Sequence, residues 1–275
     1  MKKFKKHDQD VSCLYYWGEK NTIISSSWDT MVWLHDDSTP DAEGRMRYEM
    51  TKHTKSVNFI HFKPSHSLCA SCSDDGQVII YNYGSYRQEG ILSRNTADGS
   101  DRAEVKVCKF LNPHNLIVTA DLDGLLNFYN VYPSPNWNTL LCSVKDDIES
   151  ETGKPENFPV WSLDYDDDEK MIYTGDEMGN LHKWNIWKLI EKQDEIDSKF
   201  DHSMGYDLNP KPSQKAFLTE ANVGEERKET QLVTKELFKS KAHLDGCNHV
   251  TFIKELELIA TCSFDCHVYI WNRQL

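Results

Sequence analysis

The side chains best suited to chemistry fall into three small groups. Cys69 and Cys72 form a C-x-x-C pair. A structural zinc site needs four ligands, and no second pair stands at ribbon spacing. On a strand, residues three apart also point to opposite faces, so buried, reduced thiols are expected here. Cys262, Cys266 and His267 gather around one turn but lack a fourth ligand. Asp164, Asp166 and Asp168 alternate like the start of a calcium loop. The sixth position, however, is Glu169 and the twelfth is Gly175, where the loop needs Gly and Glu. A charged hairpin turn is expected instead. With no Gly-rich phosphate loop, H-E-x-x-H or G-x-S-x-G, the reading is a non-enzyme with no catalytic residue, metal or cofactor.

The remaining polar residues follow a repeat. Five segments open on a strand that is apolar at three positions: Val11, Leu14 and Tyr16 in the first, Val57, Ile60 and Phe62 in the second. The later three open at Val105, Val160 and Cys247. Fourteen residues after each opening stands a hydroxyl: Ser25, Ser71, Thr119, Thr174, Thr261. Ten further stands a ring: His35, Tyr81, Tyr129, Trp184, Trp271. Each copy reads as strand, turn, strand, tight turn, strand, with Asp75-Gly76 and Asp123-Gly124 suited to two-residue hairpins. One such sheet cannot bury both faces, but sheets stacked around an axis can.

The last gap between rings is too long for one plain repeat of about 40–45 residues. The excess lies between Asn185 and Ala242. Apolar spacing over 186–200 fits a short amphipathic helix, Asn209-Pro210-Lys211-Pro212 fits a loop, and Leu237 to Lys241 fits a return as the fourth blade's outer strand. The chain thus divides into 1–185 (four blades), 186–241 (insert) and 242–275 (a fifth blade).

The chain has 275 residues, a net charge of −13 and eight scattered cysteines. That charge argues against nucleic acid or an anionic membrane as a partner. Lys2, Lys3, Lys5 and Lys6 read as a solvated edge. No apolar run reaches the length of a membrane helix, and no signal peptide precedes the first strand. The scattered thiols fit a reducing, cytoplasmic setting.

The pattern resembles the WD-repeat family, whose blades end in Trp-Asp. The resemblance implies an all-β propeller and, in each blade, a hydrogen-bonded tetrad of His, Ser/Thr, Asp and Trp. His243, Thr261, Asp265 and Trp271 match it fully. His53, Ser71, Asp75 and Tyr81 nearly do, and His7, Ser25 and Asp29 do with His35 in place of Trp. The third copy lacks the His, and the fourth lacks both His and Asp, with Met178 at the Asp position. Those two blades are therefore predicted to be less rigid. Trp28 and Phe264, just before the turn Asp, are predicted at the rim of one end, where exposed aromatics make partner contacts or fold over their own turns. Trp187 in the insert is predicted to dock on the propeller or to contact a partner. Family rings close with about seven blades. Five implies either a small closed ring or, as favoured, part of a larger one that another propeller segment completes, and an open end predicts self-association.

Finer wording also resembles a subfamily. Ser26-Ser27-Trp28-Asp29-Thr30, Tyr173-Thr174-Gly175-Asp176-Glu177 and the run Ser263 to Trp271 are similar to the EF-hand-containing WD-repeat proteins of cilia and flagella. That resemblance implies a non-catalytic scaffold of the axoneme, a cytoskeletal assembly, with axonemal complexes or doublet microtubules as partners. The chain carries no EF-hand, so calcium sensing does not carry over. The alternative is a soluble cytoplasmic adaptor, such as a ubiquitin-ligase substrate receptor. The W-D-x-R signature common in that class is absent.

Overall fold

The computed structural model describes residues 4, 6–38, 45–50, 53–94, 103–134, 137–145, 148–149, 155–156, 158–198 and 232–273. Five antiparallel sheets follow one another along the chain. Blade 1 holds β1 (Val11–Trp17), β2 (Thr22–Ser27), β3 (Val32–Asp36) and β4 (Arg45–Glu49). Blade 2 holds β5 (Val57–Lys63), β6 (Leu68–Ser73), β7 (Val78–Asn82) and β8 (Arg87–Leu92). Blade 3 holds β9 (Val105–Phe110), β10 (Leu116–Asp121), β11 (Leu125–Asn130) and β12 (Leu140–Lys145). A two-stranded ribbon, β13 (Ile148–Glu149) and β14 (Pro155–Glu156), precedes blade 4. Blade 4 holds β15 (Val160–Asp166), β16 (Met171–Asp176), β17 (Asn180–Asn185) and β18 (Thr234–Lys241). Blade 5 has three described strands, β19 (Cys247–Ile253), β20 (Leu258–Ser263) and β21 (Val268–Asn272). These are the blades of a β-propeller.

Successive blades pack through β1 on β5, β5 on β9, β9 on β15 and β15 on β19. No comparable packing joins β19 to β1 among the described residues. Among the described residues the blades form an open arc.

The core forms between blades. Ile24, Val32 and Leu34 of blade 1 meet Val57, Ile60 and Phe62 of blade 2. Ala70, Val78 and Ile80 of blade 2 meet Val105, Cys108 and Phe110 of blade 3. Period-two alternation makes this possible, because each strand feeds one blade boundary with its even residues and the other with its odd ones. Cys69 and Cys72 show it directly: both are buried, one against blade 1 and the other against blade 3. All eight cysteines are free. Where blades approach most closely the sequence has small residues. A Cβ on Gly175 would lie 2.5 Å from the Cys247 sulfur of blade 5.

The insert begins as helix α1, Trp187–Ser198, within the predicted stretch 186–200, whose last two residues lie outside the described ones. Asn185 Oδ1 accepts from the Trp187 amide at 3.0 Å and starts it. Leu189 and Ile190 bury against the cluster between blades 3 and 4. Asp194 and Asp197 hold His114 at 3.1 Å and Asn115 at 2.9 Å. Trp187 itself stays half exposed, and the helix docks through Leu189 and Ile190. The loop at 209–212 lies outside the described residues, and β18 pairs with β17 as the outer strand of blade 4.

Candidate protein-binding site

Every inner strand carries a β-bulge one residue after its opening. The register shifts fall between Val11 and Cys13, Val57 and Phe59, Val160 and Ser162, and Cys247 and His249, with the matching shift on β10 for β9. A bulge re-aims the extra side chain. Here it turns Ser12, Asn58, Lys106 and Trp161 toward a common opening. A second device adds to it. The amide one residue before the usual turn Asp position donates to the carbonyl just before the inner strand: Trp28 to Asp10 at 3.0 Å, Leu122 to Glu104 at 3.0 Å, Glu177 to Pro159 at 2.9 Å. Asp74 and Phe264 make the same bond to Ser56 and Gly246. Taken from the tight-turn Asp backwards, these are the residues immediately preceding it.

Together these devices frame a cavity of about 710 Å³ at one mouth of the central channel. Its aromatic wall includes Trp28 and Trp161, and Phe264 packs edge-on against Trp161 at 5.6 Å. Trp28 and Phe264 are 48% and 60% exposed, so neither folds away over its own turn. Asp10 and Glu177 also line the opening. Lys106 is already held by Asp74 and Glu104, both at 2.7 Å, leaving the acidic groups to dominate the mouth. Such a mouth can stack apolar or aromatic groups and accept hydrogen bonds from a cationic side chain.

Behind the rim lie the polar sets. In blade 1, His7 Nδ1 donates to Asp29 at 2.9 Å, so its Nε2 must accept from Ser25 Oγ, at 2.7 Å. Ser25 Oγ then accepts from His35 Nε2 at 2.8 Å. His35 thus fills the indole's role, with its Nδ1 buried and without a hydrogen-bond partner. Burial, then the nearby His7 and Lys6, press its pKa down to about 4, so the ring is neutral. In blade 2, His53 donates to Asp75 at 3.0 Å and accepts from Ser71 at 2.8 Å, whereas the buried Tyr81 hydroxyl makes no well-formed hydrogen bond. In blade 5, His243 donates to Asp265 at 3.1 Å, Thr261 donates to His243 at 2.8 Å, and Trp271 Nε1 donates to Thr261 at 3.0 Å. Burial would raise the Asp265 carboxyl, but the amides of Leu244 and His267 and the His243 ring outweigh it and hold the pKa down to about 2.

Residues 1–36, 44–82 and 234–272 match the family model described as WD domain, G-beta repeat. The chain carries WD40 repeats. The matched segments span β1–β3, β4–β7 and β18–β21, so each takes in the first three strands of blade 1, 2 or 5, with its His–hydroxyl–Asp set. No curated protein matches the chain.

Blades 3 and 4 lack those sets and hold something sequence reasoning missed. The residue before the exposed rim position is Asp121 or Asp176, where blades 1, 2 and 5 have Ser27, Ser73 and Ser263. Asp176 Oδ1 accepts from the Met178 and Asn180 amides at 2.9 and 2.8 Å. Its Oδ2 accepts from His182 Nε2 at 3.0 Å and Asn180 Nδ2 at 2.7 Å. Asp121 does likewise with the Asp123 and Leu125 amides and with Asn127 Nδ2 at 3.0 Å. Trp184 Nε1 still donates to Thr174 at 3.0 Å. The expectation of slack blades, drawn from the missing His and Asp, overlooked this substitute. The signal was an Asp followed six residues later by Asn or His.

The acidic run also needs correcting. Asp164 is not in a turn. It sits on β15, where Lys109 of blade 3 ion-pairs with it and the Thr251 hydroxyl and Phe252 amide of blade 5 donate to it at 3.2 and 2.7 Å. Asp166 is buried against Arg273 at 2.8 Å. Of the three, only Asp168 lies in the turn, which spans 167–170. Among the described residues no three His, Cys, Asp or Glu side chains converge as metal ligands, around Cys262, Cys266 and His267 included.

Proposed function

We propose that the channel mouth is the docking site for a segment of a protein partner carrying a cationic side chain beside an apolar one, and that the protein is a scaffold of the ciliary axoneme. WD40 repeats indicate a protein–protein interaction scaffold. The observation that carries the docking site is the repeated bulge and clasp, which set Trp28, Trp161 and Glu177 around one cavity. Aromatic anchors beside acidic groups suit a basic segment, in keeping with the net charge of −13. The ciliary assignment is supported by the wording of Ser26 to Thr30, Tyr173 to Glu177 and Ser263 to Trp271, which is similar to WD-repeat proteins of cilia.

Fractionation of isolated cilia tests it. The chain is expected to stay with the axoneme through detergent and to leave in high salt. A Trp28→Ala, Trp161→Ala double variant is expected to leave at lower salt with its melting temperature unchanged. Recovery of the wild-type chain only in soluble cytosol would overturn the ciliary reading in favour of a soluble adaptor. An unaltered salt profile for the double variant would move the docking site elsewhere.

A further inference from the structure

The two ends of the arc present opposite halves of one interface. Within the chain each blade boundary is built the same way. The earlier blade contributes alternate residues of its second and third strands, such as Ala70, Cys72, Val78 and Ile80. The later blade contributes its inner strand, such as Val105, Cys108 and Phe110. At three of the four boundaries a polar clasp accompanies the apolar contact, made by the bulge residue at the first two and by the residue after it at the last. Ser12 Oγ donates to the Val57 carbonyl at 2.6 Å, Asn58 Nδ2 to that of Val105 at 2.9 Å, and Ser162 Oγ to that of Cys247 at 3.1 Å.

At the ends these residue types lie uncovered. Blade 5 presents Ala260, Cys262, Val268 and Ile270 at the positions of Ala70, Cys72, Val78 and Ile80. Val268 is 68% and Ile270 57% exposed, against 1% for both Val78 and Ile80. Blade 1 presents Val11, Leu14 and Tyr16 at the positions of Val57, Ile60 and Phe62. Leu14 is 65% exposed against 4% for Ile60. Asn248 stands where Ser12 and Asn58 make their clasp, and β21 has no fourth strand beside it among the described residues. Contiguous exposed apolar rows of this kind mark association surfaces.

We propose that the chain associates head to tail, the Val268–Ile270 face of one copy receiving the Val11–Leu14–Tyr16 face of a second. The occupant is a second copy because the same chain carries both complementary faces, and the four internal boundaries show that one kind of face takes the other. The junction continues that established interface, with the second copy's Val11 carbonyl as acceptor for Asn248 of the first. Two five-bladed arcs exceed the four to eight blades a flat propeller ring holds. The copies therefore step along the axis, and the contact is heterologous and can propagate. This inference stands apart from the channel mouth, whose residues it does not use beyond Val11.

Sedimentation velocity on the full chain tests it. The mass is expected to rise with concentration. Leu14→Glu and Ile270→Glu, each at an exposed site, are each expected to be monomeric. An equimolar mixture of the two is expected to give a one-to-one dimer and nothing larger, because each variant keeps one intact face. A wild-type chain that stays monomeric, a variant that still associates, or a mixture that fails to dimerise would overturn the proposal. Should either variant fail to fold, Val11→Lys and Val268→Lys read the same two faces.

Discussion

Blades 2 and 4 close the same tight turn by different divisions of labour. In blade 2, Ser73 Oγ accepts from the Asp75 amide at 3.1 Å, and Asp75 accepts from the Gln77 amide at 3.0 Å and from His53. Two side chains cap two amides, and the acid's second oxygen looks outward to a histidine from the preceding loop. In blade 4, Asp176 alone caps both corresponding amides, and its second oxygen looks inward along the strand to Asn180 and His182. The lesson is that the turn demands satisfied amides, not particular residues. What differs is the tether. Blade 2 ties its turn to the loop that enters the blade, and blade 4 ties its turn to its own third strand.

The largest effect should come from blade 4, where one residue does two jobs. Burial would raise the Asp176 carboxyl, but its bonds to His182 and Asn180 outweigh that and hold it low. Asp176→Ala strands four donors at once and is expected to cost about 3 kcal/mol in denaturant unfolding, as loss of one partner in a buried pair does. In blade 2 the load is shared. His53→Ala and Asp75→Ala are each expected to cost about 2 kcal/mol. Their double variant is expected to cost clearly less than the sum. Additive costs would mean that the pair does not act as a unit.

Blade 1 sharpens the comparison through pH. The folded state holds His35 near 4, while the unfolded ring titrates near its ordinary 6.5. Between these values the unfolded chain binds the extra proton, so stability is lost as pH falls from about 6.5 to about 4 and is full above that window. His35→Trp, the residue type of blades 4 and 5, keeps a donor to Ser25 and cannot titrate. Thermal melts across that window are expected to lose the part of their acid sensitivity that His35 supplies. An unchanged pH profile would place that sensitivity elsewhere.

The smallest effect concerns the turn backbone. Gly76, Gly124 and Gly179 all have φ near +75°, and Cys266 holds the same place in blade 5 at φ 66°. A side chain in this region is strained. Cys266→Gly is expected to stabilise by about 0.5 kcal/mol after glycine's extra chain entropy is set against the relieved strain. Gly124→Cys is expected to destabilise by about 1 kcal/mol. Both are readable by chemical denaturation.

The blade order and the hydroxyl–ring spacing were legible because strand alternation and hairpin register are local. Val57, Ile60 and Phe62 advertise a buried face by their phase alone, and Trp271 with Thr261 advertises a neighbouring-strand bond by its ten-residue gap. Trp28 and Phe264 were legible as rim residues for the same reason. Asp176 with His182 is equally local, but its partner lies within the blade's own third strand and not in the loop before the blade.

The sequence by itself thus determined the repeat, the strands and the residue types at each boundary, since these rest on periods of two and on turn chemistry within about forty residues. Only the tertiary structure decided that Asp164 joins Lys109, Thr251 and Phe252, that α1 docks by Leu189 and Ile190 and leaves Trp187 out, and that the Val11 and Val268 faces stay uncovered. Each of those depends on which blades become neighbours, and side chains 55 to 88 residues apart meet only after the arc has formed.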